Sequence, residues 1–371
     1  MTASPPRWLR SLLTAMHEEI RDAVRDDLGL KEKAFLSGEA HQGAGDVSFQ
    51  VDVRPEEIVR QTFGRAPEPV VVICEGIGQV TFPIGAAADQ APWWVIIDPL
   101  DGSREISYGK RSAWVLSGVA PASQAPTLAD IVWAIQTEVP PLSQATGVML
   151  TASSGQAAVS ESCDLTAGAA TARRELQPSA ATSVRGGYAV FTDYFAGSHA
   201  LTAELADQVF DQALGPVRPG QALAFNDQYL SSAGCMYLMA NGTYRFYADL
   251  RPVVGELAAR SGRNVGLCAH PYDLCTYLIA QQAGVIITDP VGGPLSYPLA
   301  TDVDCGWVGY ANQSIRNEME SPLLRAISVT QGGNSDLSTR YRNGSLKVPQ
   351  PGVNGWRRGG PWQPSLVSTG S

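Results

Sequence analysis

Leu9, Leu12, Leu13, Met16, Ile20, Val24 and Leu28 recur at helical spacing, which predicts an amphipathic first helix packed on a core. Its polar face carries both signs of charge, so packing explains it better than a membrane surface does. Residues 43–52 read as a loop and a short alternating strand. Pro55 then opens a second helix, with Ile58, Val59 and Phe63 on its apolar face and Gly64 at its end. The uninterrupted apolar runs 70–74 and 93–97, bounded by turn residues, predict buried strands, and 114–119 and 131–135 predict two more.

Residues 1–150 thus read as an N-terminal α+β half. Residues 151–185 are rich in Ala, Ser, Thr and Gly and read as a variable insertion, a surface loop or hairpin. In 186–330 helices and strands alternate, as in an α/β layer: strands at 188–191, 244–250, 285–288 and 307–310, helices at 201–214 and 233–239, and one that Asp273 opens and Gly284 closes. A last helix passes through Leu323, Leu324 and Ile327. Residues 255–266, with Arg260 and Arg263, read as a charged insertion. From 331 to 371 periodicity is lost and a disordered tail is expected, with Trp356 and Trp362 as side chains suited to docking.

Charge narrows the function classes. The 371 residues carry a net charge of −9, which leaves no basic excess to neutralise a nucleic-acid backbone. The six cysteines form no Cys-x-x-Cys pair, so neither a zinc site nor a disulfide framework is expected. Glu18, Glu19 and Asp22 interrupt any apolar signal segment after Arg7 and Arg10, and no apolar run reaches about 18 residues. A cytoplasmic protein with reduced thiols, no membrane span and no nucleic-acid partner is the expectation.

The chemistry gathers where the apolar run 93–97 stops at Asp98-Pro99-Leu100-Asp101-Gly102-Ser103. Pro99 cannot extend a ladder and Gly102 permits a sharp turn, so Asp98, Asp101, Ser103 and several backbone N–H groups can converge. Glu75 ends another strand run, Asp52 follows a third, and Asp273 begins a helix. Taken singly, each has an ordinary structural reading. Together they make an oxygen-rich set suited to magnesium. Such like charges need cations if they are close, and spacing alone leaves open whether they are.

Glu75, the Asp98-to-Ser103 motif, Tyr272-Asp273-Leu274, the Gln-Gln-Ala-Gly run ending at Gly284, and Gly292-Gly293-Pro294 together resemble the inositol monophosphatase/fructose-1,6-bisphosphatase superfamily, over roughly residues 8–328. The resemblance implies a layered αβαβα sugar-phosphatase fold, two to three Mg2+ ions, a small-molecule phosphate ester as partner and a homo-oligomer. It implies that Glu75, Asp98 and the Leu100 carbonyl hold the first ion, with a third, weaker ion near Glu75. Asp98, Asp101 and Asp273 would hold the second. Asp52 and Ser103 would orient and deprotonate the attacking water, and the N–H groups of Gly102 and Ser103 would seat the phosphate. The implied reaction is hydrolysis of an inositol or sugar monophosphate by direct attack of a metal-activated water.

Three positions depart from the family pattern. Gly76 stands where a second Glu is common, Ser103 replaces Thr, and Tyr272 replaces Trp. Asp249 matches an acid that accepts hydrogen bonds from sugar hydroxyls, and Ser231 and Ser232 match small residues near the leaving group. Arg251, Arg260 and Arg263 have two equal readings, an Arg cluster that receives a second phosphate, as in fructose 1,6-bisphosphate or adenosine 3′,5′-bisphosphate, and a solvated, salt-bridged helix. A non-catalytic binding member of the fold is the remaining alternative, disfavoured by the retained acids.

Overall fold

The computed structural model describes residues 4–42, 47–263 and 266–330. The tail expected at 331–371, with Trp356 and Trp362, lies outside the described residues. Three sheets are built in chain order. β1 (Glu39–Gln42) and β2 (Val47–Phe49) form an antiparallel pair. The large sheet holds β3 (Val70–Cys74), β4 (Gly78–Phe82), β5 (Trp93–Asp101), β6 (Ala113–Pro121), β7 (Trp133–Val139), β8 (Thr146–Ser153), β9 (Val159–Asp164) and β10 (Ala169–Glu175), in the order β10-β9-β8-β7-β6-β5-β3-β4. The small sheet holds β11 (Tyr188–Phe191), β12 (Tyr244–Asp249), β13 (Ile286–Thr288) and β14 (Trp307–Tyr310), in the order β11-β12-β14-β13.

The helices are α1 (Arg7–Leu30), α2 (Lys33–Leu36), α3 (Val53–Gly64), α4 (Ser103–Ser107), α5 (His199–Leu214), α6 (Ser232–Ala240), α7 (Arg251–Arg260), α8 (Tyr277–Ala283) and α9 (Gln313–Thr330). α1 and α3 pack on the outer face of the large sheet, α6 and α8 lie between the two sheets, and α5 and α9 pack together, with α9 against the small sheet. The order of layers is αβαβα.

Helices on both faces explain why the strand runs are continuously apolar rather than alternating. Val70, Val72 and Cys74 point into the core beneath α1 and α3, while Val71 and Ile73 point into the core shared with the small sheet. On β5, Val95 and Ile97 face the first core and Ile96 the second. His17 of α1 is wholly buried between Ser117 and Thr137, and loss of hydration lowers its pKa to about 3. It is therefore a neutral ring that joins the first helix to the sheet.

Three expectations need correction. Residues 151–185 are not separate from the N-terminal half: 151 falls inside β8, and the β9–β10 hairpin completes the edge of the same sheet. Residues 255–266 are not simply a charged insertion, because 255–260 continue α7, whose buried face includes Val253, Val254, Gly255 and Ala258. Asp273 does not open a helix. α8 begins at Tyr277, and the Asp273 carboxylate turns back to accept the His270 N–H at 2.6 Å, which holds it in a turn.

Candidate active site

β3 and β5 are parallel neighbours with Cys74 opposite Ile97, so Glu75 and Asp98, the next residue of each, emerge side by side at one end of the sheet. The Glu75 N–H donates to the Ile97 carbonyl at 3.2 Å, which continues the ladder one step. Beyond Asp98 the pairing of β5 with β6 shifts register before Asp101, a bulge that frees Pro99 and Leu100 from the ladder. The Asp98 carboxylate accepts the Leu100 N–H at 2.9 Å and closes that bulge. Gly102, at φ 92°, then turns the chain through the left-handed region into the single turn of α4.

Asp273 reaches the same place from the other half of the chain. Its turn lies flat on β6, where any Cβ at Gly118 would stand 2.5 Å from the Cys275 carbonyl oxygen. As a result Asp98, Asp101 and Asp273 each offer an oxygen within 4.8 Å of the other two. Ser231, at the start of α6, donates to Asp101 at 2.8 Å, and the Ala233 N–H donates to the same oxygen at 2.7 Å. Ser231 thus orients a carboxylate of the cluster, a role its sequence position did not disclose.

Asp52 and Ser103 also meet: Ser103 Oγ lies 2.5 Å from Asp52 Oδ1 and 2.8 Å from the Leu100 carbonyl. The second Asp52 oxygen accepts the Phe49 N–H at 2.7 Å. Glu75, Asp98, Leu100, Asp101, Gly102, Ser103, Asp52 and Asp273 all line one cleft open to solvent.

Burial sets the electrostatics. It pushes Asp52 up to about 7, against the pull of the Ser103 and Phe49 hydrogen bonds. It raises Asp101 to about 6, opposed by its bonds from Ala233 and Ser231. Asp98 is held well above the usual carboxylate range, first by burial and then by the charges of Glu75, Asp101 and Asp273. Such groups ionise together only if positive charge joins them. An oxygen-only, buried, like-charged donor set suits a hard divalent cation and is poorly suited to zinc or copper.

Asp249 stands elsewhere than expected. It is wholly buried behind the cleft wall, its carboxylate gripped by the Arg251 guanidinium at 2.6–3.1 Å. Arg251, not Asp249, lines the cleft. Arg260 and Arg263 are exposed and line no part of it. Glu56 is a residue that sequence reasoning missed. Its buried carboxylate takes the space a side chain at Gly76 would need, so a charge that the family pattern places after Glu75 comes here from α3. Arg104, Phe49, Tyr194, Phe195 and His270 also line the cleft, and only their assembly in space marks them.

No family model and no curated protein matches this chain. Solved structures do. The extragenic suppressor protein suhB of Bartonella henselae is similar at 16% identity over 85% of this chain and 98% of that one, with a TM-score of 0.58. The fructose-1,6-bisphosphatase of Leishmania major in holo form is similar at 14% identity over 88% and 96%, TM-score 0.59. Inositol monophosphatase II of Staphylococcus aureus is similar at 13% over 88% and 97%, TM-score 0.56. The chain thus shares the fold of these solved inositol monophosphatase and fructose-1,6-bisphosphatase structures.

Proposed function

We propose that this protein is a magnesium-dependent phosphatase that hydrolyses a small phosphate ester by direct attack of water. The observation that carries the reading is the meeting of Asp98, Asp101 and Asp273, from two halves of the chain, beside the Ser103–Asp52 pair. Glu75, Asp98 and the Leu100 carbonyl would hold one ion and Asp98, Asp101 and Asp273 another. Bound there, two or three ions would neutralise the transferring phosphoryl group and acidify water at neutral pH.

The chain's own groups do the rest. Ser103 Oγ orients the attacking water, and its proton passes through that hydroxyl to Asp52 Oδ1, a carboxylate raised to about 7 and so a competent acceptor near neutrality. The new bond joins water oxygen to phosphorus and the bond to the ester oxygen breaks; the departing alkoxide takes a proton from solvent and Asp52 returns one to it, so the products are the alcohol and inorganic phosphate. The N–H groups of Gly102 and Ser103, which have no partner within α4, face the phosphate oxygens. The complete acid set speaks against a non-catalytic member of the fold. An IMPase-II of this fold binds inositol monophosphate in one structure and 2′AMP in another, so the fold accommodates both kinds of ester.

The test is phosphate release from a panel of sugar, inositol and nucleotide phosphates with magnesium. Asp98→Asn is expected to cut kcat about a thousand-fold or more, since it removes a carboxylate shared by both ions. Release that persists in EDTA, or that Asp98→Asn leaves intact, overturns the proposal.

A further inference from the structure

Part of the cleft lining is a strip of five neighbouring side chains. The Arg104 guanidinium lies 4.7 Å from the Phe49 ring centre and 5.9 Å from that of Phe195. Phe195 packs edge-on against Tyr194 at 6.1 Å, and the Arg251 guanidinium lies 5.3 Å from the Tyr194 ring. The strip therefore holds two cations against aromatic rings. Arg251 is fixed further: Nε and Nη2 bind Asp249, and Nη1 donates to the Leu267 carbonyl at 3.0 Å. Those bonds engage three of its five N–H groups, and the guanidinium remains on the cleft surface.

This arrangement inverts the recognition chemistry expected for a polyol. A ring bearing only hydroxyls is held by acceptors, and the acceptor in question, Asp249, is buried and spoken for. What faces the ligand instead is guanidinium, which donates and cannot accept. Held in place, a guanidinium loses little freedom on binding, and its planar fork matches a phosphate or carboxylate. An anionic group in this position is favoured over a hydroxyl on two grounds, charge and donor count.

We infer that the cleft selects phosphate esters that carry a second anionic group, seated on Arg104 and Arg251 while the first phosphate faces Asp98, Asp101 and Asp273. The inference rests on the phosphatase reading and names the substrate class of that site. Sugar bisphosphates and nucleoside bisphosphates share the required chemistry.

The experiment measures kcat/KM, with magnesium, for matched pairs: fructose 6-phosphate against fructose 1,6-bisphosphate, and adenosine 3′-monophosphate against adenosine 3′,5′-bisphosphate. At least one bisphosphate is expected to be preferred by about ten-fold or more, the effect of one charge-assisted hydrogen-bonded contact. The pair that shows the preference identifies the sugar or the nucleoside source. Arg104→Gln, and the charge-neutral double change Asp249→Asn with Arg251→Gln, are each expected to lower kcat/KM for that bisphosphate about ten-fold more than for its monophosphate, chiefly through KM. Thermal unfolding of each variant checks that it folds. Equal kcat/KM within both pairs, or equal losses for both members of a pair, overturns the inference and leaves the phosphatase reading standing. If no ester is hydrolysed, the phosphatase reading fails. Calorimetric binding of the same pairs then decides the anion seat: about ten-fold tighter bisphosphate binding supports it, and equal affinities overturn it.

Discussion

Ser103 and Asp52 share a short contact 51 residues apart in the chain, and the proton between them is the group most open to measurement. An acid raised to about 7 must be ionised to accept a proton. The kcat/KM profile is therefore expected to rise with pH on a limb near 7, with unit slope, and to flatten above it. Ser103→Ala should remove about two orders of magnitude in kcat while leaving KM within a few-fold, since in the proposed reaction the hydroxyl acts on water rather than on the bound ester. A limb unchanged in Asp52→Asn would exclude Asp52 as the acceptor. The motif residues were legible because their chemistry is local: a strand, a turn and a hydroxyl within six positions. Arg104, Glu56 and Phe195 were not, because each earns its place through a neighbour distant in sequence. Asp249 shows the limit of matching by position. The acid stands near the end of β12, and a guanidinium two residues on makes it a foundation of the cleft wall rather than part of the lining.

At the scale of elements, the site depends on how closely the 270–275 turn lies on β6. Gly118 leaves no room for a Cβ beneath the Cys275 carbonyl, with the Ile131 side chain closing the other side. Gly118→Val is expected to lift that turn and destabilise the protein by about 2–4 kcal/mol, in the range of overpacked core substitutions. Chemical denaturation would read the loss, and magnesium affinity should fall with it, because Asp273 rides on the same turn. Unchanged stability would mean that the turn is free to shift. The apolar runs made β3, β5, β6 and β14 visible in the sequence, since strands covered on both faces need no alternation. The turn at Asp273 was misread as a helix start because an acid ahead of an apolar run is also how an N-cap looks. What distinguishes the two is whether the carboxylate caps forward or bonds backward, and here it bonds back to His270.

Across the whole molecule, the acid cluster links folding to metal and to pH. An acid whose folded pKa is raised adds stability below its unfolded value near 4, and that contribution is lost as pH rises through the folded value. For Asp101 and Asp52 the loss falls between about 4 and the folded values of about 6 and 7. Metal-free protein should therefore weaken on that account as pH rises from 5 to 8, while added magnesium restores stability by binding the ionised set. The expected result is a magnesium-induced rise in Tm that is larger at pH 8 than at pH 5.5. A rise independent of pH would place the ion away from these acids. The strands at 70–74, 93–97 and 114–119 and the helices at 201–214 and 233–239 were readable from their apolar patterns. The sharing of one sheet by residues 70–175 was not, since the β9–β10 hairpin is largely polar and exposed and leaves no apolar signature.

Gly76 and Glu56 behave, in mutational terms, as a single position. A side chain at 76 collides with the carboxylate from α3, and shortening residue 56 alone removes a buried charge from beside Asp52 and Cys74. A substitution at 76 therefore meets two obstacles, the left-handed backbone at φ 70° and the Glu56 carboxylate, and a change at 56 relieves only the second.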